Sequence, residues 1–279
     1  MIKPMLCRVE PTPYDDDNYI WERKYDGARM IAIVDGKTVR LFSRSGLEKT
    51  NLFPELRIET KLPGSILDGE VISGEGFNGI QHRINRQNGI SIAAKAYPAE
   101  YHVFDMLEAD GLNIEKQPLA RRKLLLKANL VQTDNVILTP FFDKGTELFK
   151  DAREKGWEGI IGKTRTGSYL QGKRTWLKVK IWQMGTFLVV GYTQGTGWRE
   201  STFGALVLSD ARGYYVGSVG TGFDDGDIQQ IKAMFSPTVC PFPREPEAAT
   251  WIKPFPVKIR FMEMTNDEML RFPSFKGLK

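Results

Sequence analysis

The chain has 279 residues, of which 41% are hydrophobic and 26% are charged, close to the averages of globular proteins. This composition argues against a disordered chain, and no apolar run reaches the roughly 18 residues of a membrane span. Two cysteines and two histidines are too few for a disulfide framework or a Cys/His zinc cluster. The N-terminus lacks an apolar signal-peptide core, so we expect a cytoplasmic protein.

The net charge of +5 is unevenly distributed along the chain. From residue 183 onward there are ten basic and ten acidic side chains, so the whole excess lies in the first 182 residues. Within them, residues 163–180 carry six basic side chains and no acidic one. A solvated loop is the ordinary interpretation of an isolated basic cluster, and a surface that faces phosphate groups is the functional alternative.

In the first 182 residues, short apolar runs between turn signals predict strands. These runs cover residues 30–34, 39–42, 65–67, 71–73 and 101–107, with a hairpin turn at Asp35-Gly36. Helical patterns are fewer, at residues 119–129 and 146–155, and Gly156 ends the second. The mixture favours an antiparallel α+β domain over repeating βαβ units.

After residue 182 the pattern changes to short strands separated by glycine-rich turns. Strands are predicted at residues 187–192, 205–208, 214–219 and 257–264, a helix at 225–235 and a proline-rich loop at 237–246. About five strands and one helix in so short a segment fit a small Greek-key barrel such as an OB-fold. We therefore expect two domains, 1–182 and 183–279, that together exceed the usual size of one domain.

The string KYDGAR at residues 24–29 is the first chemical signal. A lysine followed by Asp-Gly forms a turn that places the amine beside a carboxylate, and the deprotonated amine is a nucleophile. Nearby cations or a metal must favour its neutral form. For this string alone, an exposed turn with a surface lysine is the alternative.

The string resembles motif I of the covalent nucleotidyltransferases, which comprise DNA ligases, RNA ligases and mRNA capping enzymes. Five further strings follow in the family's order, similar to its motifs Ia, III, IIIa, IV and V. They are SRSG at residues 43–46, LDGE at 67–70, YHVFDML at 101–107, EGIIGK at 158–163 and WLKVK at 176–180. The match is best to ATP-dependent DNA ligases, especially the compact modules of bacterial end-joining and bacteriophage enzymes. It implies an antiparallel-sheet nucleotidyltransferase (adenylation) domain followed by a small OB-fold barrel.

The resemblance implies catalytic roles for residues that match these motifs. Lys24 would attack the α-phosphate of ATP, release pyrophosphate and hold AMP through a phosphoramide. Lys178 and Lys180 alternate along a predicted strand and so share a face, where they would bracket the reacting phosphates together with Lys163. An exposed edge strand protected by lysines is the alternative for an unaligned pair. Asp26 would orient a metal or the attacking 3′-hydroxyl, or it only forms the turn.

Other matching residues are implied to bind the nucleotide or the nick. Glu22 would read the adenine amino group, or it is a solvated strand carboxylate. Phe104 would stack on adenine, or it is a core phenylalanine. Arg29 and Glu70 would contact the ribose hydroxyls, or they form a surface salt bridge. Arg44 would grip the 5′-phosphate of the nick, or it is a solvated turn arginine.

Metal and pyrophosphate sites are also implied. Glu158 and Glu70 are the candidate ligands of Mg²⁺ or Mn²⁺, and a loop or helix-end carboxylate is the alternative for Glu158. Many ligases end in an Arg-x-Asp-Lys motif VI, whereas this tail reads RFPSFK at residues 271–276. This string resembles the end-joining variant, so Arg271 and Lys276 are candidate pyrophosphate contacts.

The expected function is ATP-dependent sealing of 5′-phosphate/3′-hydroxyl nicks in duplex DNA through lysine–AMP and DNA–adenylate. An RNA ligase or a GTP-dependent capping-type enzyme is the alternative, and a catalytically inactive OB-type binding protein is the alternative outside enzymes. Only 23 residues precede Lys24, too few for the helical DNA-binding domain of large ligases. We therefore expect a minimal monomer in a bacterial or phage-infected cell, which binds nicked DNA by itself or with end-binding or repair proteins.

Overall fold

The computed structural model describes residues 2–74, 76–265 and 267–279. The chain divides into two compact units, Met1–Ile181 and Trp182–Lys279. None of the helices in the described ranges has the length and apolar character that a membrane span requires.

The first unit contains short strands interspersed with helices. In chain order these are β1 (Leu6–Val9), β2 (Tyr19–Arg23), β3 (Ala28–Asp35), β4 (Thr38–Ser43), β5 (Glu59–Thr60), β6 (Ser65–Ser73), α1 (Gly76–Ile84), α2 (Ile90–Ala96), β7 (Ala99–Ala109), β8 (Leu112–Asn113), α3 (Leu119–Asn129), β9 (Leu130–Val131), β10 (Val136–Leu138), β11 (Phe141–Phe142), α4 (Gly145–Glu154), β12 (Gly159–Thr164) and β13 (Arg174–Lys180).

Two large sheets form most of the first unit, and β5 pairs with β9 in a separate two-stranded sheet. One large sheet has the strand order β1-β13-β12-β2-β11, and the other has the order β10-β7-β6-β3-β4 with β8 beside β7. Neighbouring strands are antiparallel except at one edge of each large sheet, where β1 and β10 run parallel to β13 and β7. The predicted antiparallel α+β architecture is therefore confirmed, with one parallel edge strand in each large sheet.

Strand β6 is continuous where the sequence predicted two strands separated by Asp68-Gly69-Glu70. Its backbone pairs with β3 and β7 through these three residues. Gly69 permits this close packing, because a Cβ there would lie 2.4 Å from the ring of Tyr101. Asp68 is fully buried, so the polar interruption of the apolar pattern lies within the strand and does not mark a turn.

The helices were predicted in part. Helix α3 spans the predicted 119–129, and α4 spans Gly145–Glu154, with Gly156 in the left-handed conformation at φ 65° just beyond it. The sequence analysis missed α1 and α2. Helix α2 has only seven residues and exposes Ile92, so it lacks the apolar periodicity that predicts a helix.

Among its described residues, the second unit is one five-stranded antiparallel sheet with one α-helix and a short 3-10 helix, Gly197–Arg199. Its elements are β14 (Gln183–Gln194), β15 (Phe203–Ser209), β16 (Tyr215–Val219), α5 (Asp225–Ala233), β17 (Thr250–Phe261) and β18 (Ser274–Leu278), and the strand order is β16-β15-β14-β17-β18. The two outer strands approach each other, since the N–H of Phe275 donates to the carbonyl of Thr221 at 2.9 Å. This arrangement confirms the predicted OB-fold barrel.

Two details of the second unit differ from the prediction. Strand β17 starts at Thr250 instead of residue 257, although Pro254 and Pro256 lie inside it. The ladder to β14 is irregular at Pro254, because Gly191 pairs with Trp251 whereas Val189 pairs with Phe255. Strand β18 was not predicted, because its five residues contain both a lysine and a glycine.

Candidate active site

The two large sheets of the first unit both contribute to one open cavity of about 210 Å³. Strands β1, β2, β12 and β13 line it from one sheet, and β3, β6 and β7 line it from the other. The structure thus brings together most of the residues selected from the sequence. Those that line the cavity are Glu22, Lys24, Arg29, Arg44, Glu70, Phe104, Lys163 and Lys178.

Lys24, Glu158 and Lys180 form one cluster, here called the Glu158 cluster. The Lys24 ammonium contacts Glu158 Oε2, and Lys180 Nζ lies 3.0 Å from Glu158 Oε1. The side chains of Lys24 and Lys180 are 21% and 19% exposed. The residue after Glu158 is Gly159, where a Cβ would lie 2.1 Å from a carbonyl of β13. Only glycine lets the two strands approach so closely, and this approach places Glu158 beside Lys180.

Lys178 lies on the same face of β13 as Lys180 and lines the cavity. Burial lowers the pKa of Lys178, and the nearby ammonium groups of Lys180 and Lys24 lower it further. Three lysines thus concentrate positive charge at one end of the cavity. Such a concentration of positive charge favours the binding of polyanions such as a nucleoside triphosphate.

Glu22, Lys123 and Lys163 form a second cluster, here called the Glu22 cluster. The Glu22 carboxylate, 2% exposed, contacts Lys123 Nζ through Oε1 and lies 2.6 Å from Lys163 Nζ through Oε2. Burial lowers the pKa of Lys163 to about 8. The Lys163 ammonium lies 4.2 Å and 4.0 Å from the ring centres of Phe104 and Trp176. Lys163 is therefore paired with Glu22, whereas the sequence analysis grouped it with Lys178 and Lys180.

Arg29 is fixed by a carboxylate that the sequence analysis did not select. Its Nε and Nη2 atoms donate to the two oxygens of Asp68 at 2.5 Å and 2.6 Å, and the hydroxyl of Tyr169 donates to Asp68 Oδ2 at 2.6 Å. Although burial opposes the charge, Asp68 raises the pKa of Arg29. Glu70 lies directly across the ladder from Arg29, but Asp68 takes the bidentate contact.

Glu70 lines the same cavity, where the charges of Arg29 and Lys24 only partly offset the burial of its carboxyl group. Burial raises its pKa to about 7, and the acidic groups of Asp68 and Glu158 add to this, while Arg29 and Lys24 oppose it. The carboxylate of Glu70 is thus poorly stabilised as an anion in this unit. A cation bound beside it would restore the ionised form.

Arg44 lies at the edge of the cavity, whereas Asp26, Arg271 and Lys276 are not among the described residues that line it. Arg44 is exposed just after β4. Asp26 is half-buried two residues after Lys24. Arg271 and Lys276 belong to the second unit, where Arg271 donates to Glu263 at 2.7 Å.

Sequence reasoning missed four residues that support the cavity. Asp68 and Trp176 stood inside the strings LDGE and WLKVK but had no assigned role. Tyr169 and Lys123 lay outside all six strings. For Lys123, the available signal was a lysine on the apolar face of a predicted helix. In the structure its side chain is 5% exposed on α3.

Two family models match the chain. The model described as "ATP dependent DNA ligase domain" matches residues 4–180, and that described as "ATP dependent DNA ligase C terminal region" matches residues 194–279.

Individual proteins similar to this chain have names that refer to DNA ligase or to non-homologous end joining. The multifunctional non-homologous end joining protein LigD of Mycolicibacterium smegmatis is 30% identical over 99% of this chain and 38% of its own length. The DNA ligase of Archaeoglobus fulgidus is 31% identical over 92% of this chain and 51% of its own length. The chain therefore spans about half or less of these relatives. The SPbeta prophage-derived DNA ligase-like protein LigB of Bacillus subtilis is 33% identical over 69% of this chain and 72% of its own length.

Solved structures show the same likeness. The ligase domain of LigD from M. tuberculosis is 27% identical with a TM-score of 0.56, and the match covers 100% of this chain and 95% of that one. A structure from a study of Lig E DNA ligases has a TM-score of 0.70 at 18% identity, covering 99% of both chains. The second match bears on the fold alone.

Proposed function

This chain belongs to the ATP-dependent DNA ligase family, and from that membership we propose that it seals 5′-phosphate/3′-hydroxyl nicks in duplex DNA through lysine–AMP and DNA–adenylate intermediates. The position of Lys24 carries the proposal. Its ammonium contacts Glu158 in a cavity that also presents Lys178, Arg29 and Phe104. We assign the nucleotidyltransferase domain to residues 1–182 and the OB-fold domain to residues 183–279.

In the first step, the neutral amine of Lys24 attacks the α-phosphorus of ATP. A P–N bond forms, the bond to the bridging oxygen breaks, and pyrophosphate leaves with the electron pair. Lys24 must lose a proton before it attacks, and the contacting Glu158 carboxylate is the nearest acceptor. Lys178 and Lys180 supply the positive charge that the phosphates require. Asp26 would orient the 3′-hydroxyl in the last step, where that hydroxyl displaces AMP.

The other cavity residues hold the nucleoside. ATP is the nucleotide of this family. We propose that adenine stacks on Phe104 above Lys163, that Glu22 accepts a hydrogen bond from the 6-amino group, and that Arg29 and Glu70 contact the ribose. The support is that all five side chains line the same cavity. The bidentate contact with Asp68 keeps Arg29 in place before ATP arrives.

The residues present fit a divalent metal ion that is held mainly by substrate phosphates. Within the described residues there is no group of three or more His, Cys, Asp or Glu side chains arranged to bind a metal. Mg²⁺ commonly uses one or two carboxylates together with phosphate oxygens, and Glu70 and Glu158 would serve here. The raised pKa of Glu70 supports this role, because a cation would stabilise its carboxylate. Bound Mg²⁺ or Mn²⁺ would neutralise phosphate charge.

Contacts with DNA and pyrophosphate complete the proposal. Arg44, exposed at the cavity edge, would bind the 5′-phosphate of the nick, and Arg271 would bind the departing pyrophosphate. The names of the LigD relatives refer to non-homologous end joining. We propose accordingly that end-binding or repair proteins are partners of a monomeric enzyme in the cytoplasm of a bacterial or phage-infected cell.

Parallel labelling with α-³²P-labelled ATP and GTP tests the proposal. We expect label on the denatured protein from ATP only, in the presence of Mg²⁺, followed by sealing of nicked duplex DNA. Label from GTP would indicate a capping-type enzyme, and sealing of RNA nicks alone would indicate an RNA ligase. If neither nucleotide labels the protein, the chain is a binding protein and the proposal fails.

A further inference from the structure

In the part of the chain that the structure describes, Lys123 adjoins the nucleotide cavity through its contact with Glu22. Its side chain is 5% exposed on α3, and its ammonium contacts Glu22 Oε1. Within the described ranges Lys123 does not line the nucleotide cavity, whereas Glu22 and Lys163 do. Lys123 instead lines a separate, mainly apolar cavity of about 270 Å³ on the other side. Glu22 therefore separates Lys123 from the space that the nucleotide would occupy.

Helix α3 holds the Lys123 ammonium in a fixed place. The neighbouring Arg122 is fully buried, and its Nε and Nη2 atoms each donate to Asp105 of β7 at 2.8 Å. Its Nη1 atom also donates to the carbonyls of Gln117 and Gly167 at 2.6 Å and 3.0 Å. Strand β7 carries Phe104 in the residue before Asp105. The helix that positions Lys123 is thus tied to the strand that supplies the proposed adenine platform.

The ion pair with Glu22 is the main polar contact of Lys123. Among the described residues, Lys123 Nζ and Glu22 Oε1 form an ion pair with each other, and neither atom has a hydrogen-bond partner. A buried ammonium with a single carboxylate partner holds that oxygen firmly, since separating them would leave both charges unpaired. Rotation of the Glu22 carboxylate away from its present plane is therefore costly while Lys123 is present.

A carboxylate held between two ammonium groups is a hydrogen-bond acceptor only. Each oxygen of Glu22 has two acceptor sites; Lys163 donates to one on Oε2, and the Lys123 ammonium faces Oε1 as an ion pair. The remaining sites can accept an N–H from the 6-amino group of adenine. They cannot donate to the 6-oxo group of hypoxanthine or guanine, and two facing oxygens would repel each other.

We propose that Lys123 is a specificity-determining positioning residue, which fixes Glu22 as an acceptor for the 6-amino group and so sets the preference for ATP over 6-oxo purine nucleotides. The inference rests on the proposed function, because it requires a lysine adenylation step. Lys163 shares the Glu22 carboxylate, but it also lies over Phe104 at 4.2 Å and so belongs to the binding site itself. Lys123 is the member of the Glu22 cluster that acts solely through another side chain.

The test compares ATP with inosine 5′-triphosphate, which replaces the 6-amino group with a 6-oxo group. The measured quantity is kcat/KM for formation of the nucleotidyl-enzyme by the full chain. In Lys123→Met we expect this value to fall for ATP and to stay level or rise for inosine triphosphate. The selectivity ratio should drop roughly tenfold, the worth of one hydrogen bond to a charged group.

Three matched variants define the result. Lys127→Met makes the same change one helical turn away, at an exposed position, and should keep the wild-type ratio. Lys123→Arg preserves the charge and should restore most of the selectivity. In a Glu22→Gln background, Lys123→Met should no longer change the ratio. Because both nucleotides are measured on one sample, partial unfolding cancels in the ratio. Lys123→Gln replaces the methionine variant if that protein does not fold, and should also lower the ratio.

Equal loss of activity with both nucleotides in Lys123→Met would overturn the inference, since it would show a purely structural role. An undiminished effect of Lys123→Met in the Glu22→Gln background would overturn it as well. These failures differ from failure of the proposed function, in which the wild-type protein forms no nucleotidyl-enzyme with either nucleotide.

Discussion

The Glu158 cluster and the Glu22 cluster share one design, a carboxylate between two lysines, but differ in burial. In the Glu158 cluster both lysine side chains remain about one-fifth exposed, while Glu158 is 6% exposed. In the Glu22 cluster all three side chains are at most 5% exposed. Solvent can replace a lost partner in the first cluster and cannot in the second.

This difference matches the tasks we propose for the two clusters. Lys24 must release Glu158 and a proton in order to attack phosphorus, so its ion pair has to be broken in every catalytic cycle. Glu22 must keep one orientation to recognise a base, so its pairs have to persist. Partial exposure lowers the free energy needed to break the Lys24–Glu158 ion pair, and burial keeps the pairs of Glu22 rigid. The predictions below test this division.

Removal of the amine of Lys24 should have the largest effect. Lys24→Ala should abolish formation of the enzyme–AMP adduct, because no other group supplies the nucleophile. It should retain closure of a pre-adenylated nick, which needs no attack by lysine. Lys24→Arg should fail equally at adenylation, since a guanidinium stays protonated. Normal self-adenylation of Lys24→Ala, measured by label transfer, would refute the assignment.

Neutralising each carboxylate separately should distinguish the clusters. Glu22→Gln leaves two buried ammonium groups without a counter-charge and should lower the free energy of unfolding by about 3 kcal/mol. Glu158→Gln should lower it by less than about 1 kcal/mol, yet slow adenylation by roughly a hundredfold through loss of the proton acceptor. Urea unfolding and single-turnover adenylation give the two values. Equal stability losses would contradict the comparison.

The pH dependence of stability should report on Glu70, which belongs to neither cluster. Burial raises its pKa from 4.5 to about 7, so between these pH values the folded protein holds a proton that the unfolded chain releases. The free energy of unfolding should therefore fall as pH rises across this window, by on the order of 2 kcal/mol. Thermal unfolding without divalent metal measures this, and Glu70→Gln should flatten the curve. A Glu70→Gln curve as steep as that of the wild type would assign the slope to other groups.

The smallest effect is expected at Arg271. If it contacts pyrophosphate, Arg271→Ala should slow adenylation several-fold, the range of one exposed charge contact, and spare closure of pre-adenylated nicks. Arg212→Ala removes an arginine paired with Asp210 in the same unit and serves as the control. Single-turnover rates of the separate steps provide the measurement. An Arg271→Ala protein that adenylates normally but fails at closure would move Arg271 to the DNA-binding surface.

Much of the fold followed from local patterns. Alternating apolar runs between turns predicted β3, β4, β7 and most strands of the second unit, and periodicity predicted α3. Local patterns failed where polar residues lie inside a buried strand, as at Asp68 in β6, and where a helix is as short as α2. In β6, pairing with β3 and β7 stabilises a strand that the local sequence does not favour.

By itself, the sequence predicted most of the groups that the structure brings to the candidate site, because six strings in the family's order resemble the motifs of the covalent nucleotidyltransferases. Only the tertiary structure decided how these groups pair. It joined Arg29 to Asp68 instead of the opposite Glu70, and it brought Lys123 to Glu22 across about one hundred residues of chain. Pairing depends on the separation and burial of side chains from different strands and helices, and the electrostatic energy of a pair depends steeply on both.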